Sequence, residues 1–564
     1  EENYNKDVKA ARATLEYSPT DSLFIRLAGD ALDDTSNNRC GHRFDTNTVA
    51  GPNGEFFAPT DTVFDSECGM TEEQEVLSRG YSLTAEYDVT DELTTKLVLA
   101  RRKGSTETFI DFDGTPVDSF EVPAIYSDEQ TTGELQVNWT TDNIAIVGGL
   151  FYYDGTAAGA FDAFFAQFGG VGVLSGTAFT NGVRGEVDTE STGAYVNVDW
   201  DITDRLGITL GGRYTRDEKA AIAQRVQFVT ANAFTGTTNQ GSYLTYGLLQ
   251  NAVTAPSFAT DFDKNDMNRS WNEFSPSVKI DYNLGDETMI YASYSEGFKS
   301  GGFDMRTDAR FEPNAVEGFD PETVQTYELG LKTQMFDNRL RLNVGAFYTD
   351  YTDMQVTVQA PAPAPSFFSS TVVNAGESEI QGLELEASFQ ATDGLVFNVA
   401  VGLLDAEFIT VSETVPTGDT DGNGDPILTT INRANANTVN GVEYEAWGMQ
   451  NAPDMNYQVA GVYDLEIGGA GSLQFNLAYS YRDDVRMFEA VTSQLDQEGY
   501  GVVDASVVWK SASEQWSATL SGKNLADEEY RTGGYNFPAT AGEDAILGFY
   551  GDPRTVTLTL GYEY

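Results

Sequence analysis

The sequence predicts an all-β fold, a transmembrane antiparallel β-barrel, and three observations predict it. About nineteen segments alternate apolar and polar residues with a period of two, which marks strands with one apolar face. The connections between these segments alternate short and long. An aromatic residue recurs at one height, just ahead of the short turns. Antiparallel strands of about ten residues, apolar outside and polar inside, satisfy every backbone group in lipid only when the sheet closes. A soluble propeller or sandwich also alternates, but it explains neither the aromatics at matched height nor the asymmetry of the connections.

The alternation is plain along the whole chain. Leu206, Ile208 and Leu210 oppose Gly207, Thr209 and Gly211. Leu340, Leu342, Val344, Ala346 and Tyr348 oppose Arg341, Asn343 and Gly345. Leu383, Leu385, Ala387 and Phe389 oppose Glu384, Glu386 and Ser388, and Leu473 to Tyr481 repeats the pattern. The final TVTLTLGYEY sets Val556, Leu558, Leu560, Tyr562 and Tyr564 against Thr555, Thr557, Thr559, Gly561 and Glu563.

Short connections carry a recurring Thr-Asp, at Thr20-Asp21, Thr90-Asp91, Thr141-Asp142, Thr203-Asp204 and Thr392-Asp393. Asp, Asn and Gly in such turns supply local side-chain bonds or left-handed backbone. The long connections are expected over residues 33–76, 106–127, 155–188, 218–270, 299–323, 351–378, 407–450, 484–497 and 526–551. Tyr17, Tyr87, Trp139, Trp200, Tyr282, Trp509 and Tyr564 stand near the short-turn side, where a ring of Tyr and Trp suits a lipid headgroup boundary. The first strand and the last run in the same sense, so the count is odd, whereas bacterial barrels have even numbers. Residues 1–564 are accordingly expected to be the C-terminal part of a barrel of about 22 strands, with about three strands preceding residue 1.

The 564 residues include 33 Lys and Arg against 87 Asp and Glu, a formal charge of -54. That balance excludes nucleic acid as a partner, because a phosphate backbone needs a basic face. The 34 Phe, 28 Tyr and 6 Trp exclude a disordered acidic chain. No apolar run reaches the roughly 18 residues of a membrane-spanning helix. Cys40 and Cys68 are the only cysteines and share one polar segment. They read either as a loop disulfide in an oxidising compartment or as two free thiols. His42, the one histidine, reads as a surface residue of that loop. With it alone, neither a Ser-His-Asp triad nor a histidine metal site can be assembled, and the chain does not read as an enzyme.

Asp419, Asp421, Asn423 and Asp425 place oxygen side chains at alternate positions, like the start of a calcium loop, although position twelve is Thr430 instead of Glu. The other reading is a solvated acidic turn. Asp111-Phe112-Asp113-Gly114 is a shorter echo of the pattern. Phe161, Phe164, Phe165 and Phe168 crowd one segment on the long-loop side. They would either cap an apolar ligand or form the core of a loop folded into the mouth. Arg341, Glu384 and Glu386 point into the lumen by the alternation rule. No cofactor is required by any of this, and calcium is the one ion the loops suggest.

The chain resembles the barrel portion of a TonB-dependent outer-membrane receptor. The resemblance is carried by IYASYSEGFKSGGF at 290–303, TYELGLKTQMFDNRLRLNVGAFYTDYTDMQV at 326–356, NAGESEIQGLELEASF at 374–389, KNLADEEYRTGGY at 523–535 and the final GDPRTVTLTLGYEY. The resemblance implies a 22-stranded barrel, an N-terminal plug and a short box that engages the TonB complex. Neither plug nor box occurs in this chain. It implies that Arg341, Glu384 and Glu386 face the plug, and that Tyr564 serves barrel assembly. It also implies a Gram-negative outer membrane, with its lipid and lipopolysaccharide as surroundings. The expected activity is energised import of a siderophore, a corrinoid or an oligosaccharide. A passive porin, or a surface anchor whose loops hold partners such as a lipoprotein, are the alternatives.

Overall fold

A computed structural model describes residues 5–46, 56–69, 74–116, 120–165, 178–230, 258–307, 316–361, 368–420, 426–439, 441–444, 446–487, 494–540 and 543–563. Among them one sheet contains 21 strands, nearly every one paired with its neighbour in sequence. Two of the 21, Phe258–Phe262 and Pro426–Asn432, merely extend the rims of longer neighbours, which leaves nineteen antiparallel staves. The outermost staves are Val8–Thr20 and Thr555–Tyr562. Each has one partner in the sheet among the described residues.

Register shows why these residues form staves. Leu83, Leu99 and Gly133 are cross-strand neighbours, and Tyr87, Thr95 and Val137 form the row below. One face of the sheet is therefore a continuous apolar band, with Leu15, Leu150, Leu329, Leu477 and Leu560 exposed upon it. The other face carries Glu16 with Arg26 and Lys96 with Glu86, an interior of exposed polar pairs. Such a band needs lipid around it, since burying it makes up most of the driving force.

Tyr17, Tyr87, Trp139, Trp200 and Tyr282 all lie exposed on the apolar face near the short turns. Trp509 shares that face and donates its ring N–H to Ala470 O at 2.9 Å. Tyr564 lies outside the described residues. A second ring, not anticipated from sequence, runs along the long-loop edge through Tyr81, Tyr152, Tyr214, Phe274, Tyr327 and Tyr348. The two rings bracket the band.

The short turns owe more to Thr than to Asp. Thr90 Oγ1 accepts the amides of Glu92 and Leu93, Thr141 Oγ1 that of Ile144, and Thr203 Oγ1 those of Arg205 and Leu206. The hydroxyl substitutes for a ladder partner where the chain reverses. Asp337 and Asn338 turn instead through left-handed backbone.

Several expected long loops are in fact strand. Ala178–Thr203 and Leu395–Thr420 each run 26 residues, and Leu206–Thr230 runs 25. A crossing needs only about 9–11. Above the band neither face meets lipid, so the staves continue with polar residues on both sides and the alternation disappears.

Candidate functional site

The site is the upper end of the staves and the lumen beneath it. In the lumen wall, Arg341, Asn343, Glu386, Ser388, Asn398 and Gln458 line a polar recess of about 360 Å³. Asn343 Nδ2 donates to Glu386 Oε2 at 3.3 Å. Glu384 stands one inward position higher, and all three charged residues singled out from sequence, Arg341, Glu384 and Glu386, are exposed to the interior.

The mouth is narrowed by residues 301–307, the end of the EGFKSGGF motif. They fold back onto the inner face of staves Leu206–Thr230 and Asn268–Gly285. Lys219 Nζ donates to Gly301 O at 2.7 Å and Arg225 Nη1 to Arg306 O at 3.2 Å. Phe303 packs on Trp271 with Met267, Ala221 and Ala223, a small buried core inside the barrel mouth. Gly185 stands beside Ala223 in the adjacent stave, where a Cβ would collide with Met305. Burial pulls the Lys219 ammonium below the usual lysine range, opposed by Asp217. Sequence reasoning missed this core. The signal was Lys219 and Trp271 at inward positions beside a Gly-Gly-Phe segment.

A second assembly forms a cap that joins the connection after stave Leu23–Asp34 to the connection before stave Thr555–Tyr562. Arg531–Thr540 and Glu543–Tyr550 form a hairpin, and His42–Arg43 adds a third strand through Leu547 and Gly548. Cys40 and Cys68 are bonded, with Cα atoms 6.3 Å apart, and hold this segment. His42 is buried against Phe44 and Tyr550, with Nδ1 3.0 Å from Thr60 Oγ1, so the surface expectation is corrected: it packs in the cap's core. Oxygens of Asp111, Asp113 and Glu121 lie within 4.8 Å of one another. Burial, and then Asp113, push Asp111 well above the usual carboxylate range. The amides of Gly69, Asp113 and Gly114 bond to Asp111, and Arg43 donates to Asp113 O. This donor set suits a hard cation. Backbone amides also serve the carboxylates of Asp111 and Asp113 without one.

Phe161 faces inward, beside buried Ala124 and Val183. Phe164 and Phe165 end the stave Ile144–Phe165, and Phe168 lies outside the described residues. As far as Phe165 the segment is thus strand where a loop was expected. Asp419 ends the stave Leu395–Thr420, while Asp421, Asn423 and Asp425 lie outside the described residues.

A family model described as "TonB dependent receptor-like, beta-barrel" matches residues 12–525, and the chain belongs to that family. It is 24% identical over 376 residues to the pesticin receptor of Yersinia pestis, covering 66% of this chain and 44% of the relative. It is 26% identical over 293 residues to the metal-pseudopaline receptor CntO of Pseudomonas aeruginosa, covering 51% and 33%. The chain thus spans less than half the length of these curated relatives. Among solved structures, the ferric yersiniabactin uptake receptor FyuA of Yersinia pestis superposes with a TM-score of 0.69, at 17% identity over 99% of this chain and 71% of that one. The siderophore receptor PiuA of Acinetobacter baumannii gives 0.65 at 16% identity, over 100% of this chain and 75% of that one. At such identities the superpositions establish the fold alone.

Proposed function

We propose that this chain is the barrel of an outer-membrane receptor that imports a scarce metal chelate, a siderophore complex first among the candidate ligands. The observation that carries the reading is the mouth: a segment pinned inside the staves by Lys219 and Arg225, above a lumen walled with charge. A diffusion pore has no need for a buried apolar core in its entrance. The names of two relatives, a ferric-pyoverdine receptor and a metal-pseudopaline receptor, support the choice of ligand class. Corrinoid and oligosaccharide remain ligands of the same mechanism. Energy comes from the TonB complex in the periplasm, and Arg341, Glu384 and Glu386 face the plug. Catalysis has no part in this reading. Calcium at Asp419–Asp425 would brace an extracellular segment without entering the transport step.

The test is uptake by cells carrying the whole receptor under iron limitation. Uptake of a labelled ferric chelate is expected to require both the receptor and TonB, while binding of the chelate persists without TonB. Uptake that survives loss of TonB, with steady ion conductance in planar bilayers, would establish the porin instead.

A further inference from the structure

Three of the stretches that carry the family resemblance meet at one place in the structure. Lys299 and Ser300 belong to 290–303, Asp353 and Gln355 to 326–356, and Asn374 opens 374–389. They meet at the base of the segment whose residues 301–307 narrow the mouth. The ladder between staves Thr288–Lys299 and Glu322–Met335 ends at Lys299 and Glu322. Beyond it Gly302 and Phe319 hold the two ends together, exchanging main-chain hydrogen bonds at 3.1 and 2.9 Å. Ser300 and Asp320 lie between ladder and bridge, outside any strand.

Side chains from two other staves serve the main-chain groups there. Gln355 Nε2 donates to Ser300 O at 3.0 Å and to Asp320 O at 3.1 Å, with Lys299 O at 3.5 Å. Asn374 accepts the Asp320 N–H at 2.7 Å and donates to Asp320 O at 2.8 Å, so its amide pairs with Asp320 as a strand neighbour would. Its Nδ2 also donates to Asp353 O at 2.8 Å. Asp353 stands at a bulge of stave Leu340–Pro361 with left-handed backbone, φ 55°. A bulge re-aims the residues beside it, here Gln355. The Gln355 N–H donates to Glu322 Oε2 at 2.6 Å, and buried Glu322 also pairs with Lys299 at 3.4 Å. On the opposite flank Arg269 donates to Glu317 O at 2.9 Å and pairs with Asp320.

The bonds that Gln355 and Asn374 make to the segment all end on its main chain. They therefore fix its path whatever side chains it presents to the mouth, and they satisfy peptide groups that the ladder leaves behind. We propose that Gln355 and Asn374 are positioning residues for recognition of the imported chelate. They clasp the base of the segment and so set the course of residues 301–307 across the mouth, without touching the chelate themselves. The proposal rests on the receptor reading above.

The experiment uses the whole receptor, with Gln355→Leu, Asn374→Leu and the control Gln381→Leu, whose amide bonds Asp405 instead. Heat-dependent mobility on gels confirms that each variant is folded. Amide exchange in detergent is expected to speed up roughly tenfold over 299–307 and 316–322 in the first two variants, the effect of about two lost hydrogen bonds, with the lower staves unchanged. Cells are then given radioiron as its citrate, catecholate and hydroxamate chelates. For a chelate that wild type takes up, the half-saturating concentration is expected to rise roughly tenfold in both variants while the maximal rate holds, the signature of lost binding alone. Gln381→Leu should match wild type in both measurements. Faster exchange with an unchanged half-saturating concentration would reveal a merely structural clasp and overturn the proposal. Unchanged exchange in the folded variants would overturn it as well. Wild-type cells that take up none of the three chelates would overturn the receptor reading, and the recognition role with it, while amide exchange would still report on the clasp.

Discussion

One stave holds two environments. In Leu93–Asp111 the first half sends Leu93, Thr95, Leu97 and Leu99 outward and Thr94, Lys96 and Val98 inward. The second half sends Arg101, Lys103, Ser105 and Glu107 outward, while Arg102 faces in and pairs with Asp30 at 3.0 Å. The backbone ladder runs unbroken through both halves, to Glu75–Asp88 on one side and Phe120–Thr140 on the other. Hydrogen bonding is thus the same along the stave, and only the surroundings change. In the lower half, lipid is the apolar phase and the outward side chains alone meet it. In the upper half, apolar clusters among the described residues form where segments fold back on the staves, as at Trp271 and Phe303 or at Leu547.

The largest effect expected from this contrast is in the mouth. Trp271→Ala should cost about 3–5 kcal/mol in the local core, the usual range for a buried Trp. Residues 301–307 should then become sensitive to protease and exchange amide hydrogens rapidly, while the lower staves stay protected. If the whole barrel lost protection together, the two halves would be one cooperative unit and the contrast would fail.

A smaller effect tests the boundary itself. Leu135 lies in the band and Thr131 four residues higher on the same outward face. Leu135→Arg should destabilise folding into vesicles by about 2–4 kcal/mol, and Thr131→Arg by about 0–1 kcal/mol, following the depth dependence of outward cations. Denaturant titration of both variants in the same lipid decides this. Equal penalties would mean that the band reaches higher than Tyr81 and Tyr152 indicate.

These two halves also explain what could be read from the sequence. The lower half was legible because lipid on one side and water on the other impose a strict period of two. The short turns were legible through Thr-Asp, although the hydroxyl of Thr90 or Thr203, not the carboxylate, proves to make the bonds. The upper half was not, because Arg101 and Arg102, or Glu186 and Val187, carry no such period, and 155–188 was accordingly expected to be loop. The lumen positions of Arg341, Glu384 and Glu386 followed from alternation alone. The core around Trp271 depends on contacts between residues 221 and 303, which no local pattern reveals. The same holds for the strand that His42 contributes to a hairpin some 500 residues away, a pairing of His42 with Gly548.

The smallest expected effect is a proton-linked one at the tip of a stave. Asp162 is 6% exposed, well above the band, and its Oδ2 has no hydrogen bond among the described residues. Burial pushes its carboxyl up to about 7. In the unfolded chain it titrates near the ordinary value of about 3.9. Between these two values the folded tip holds a proton that the open form releases, so local stability falls as pH rises and levels off above about 7. Raising the pH from about 5 to about 8 should therefore speed opening of residues 155–165, beyond the intrinsic pH dependence of amide exchange. Asp162→Asn keeps the shape and removes the charge, so its opening should be flat over that window. A wild type that is equally flat would mean that Asp162 is solvated in the membrane-embedded receptor, and that the upper half of this stave is more open to water than its burial indicates.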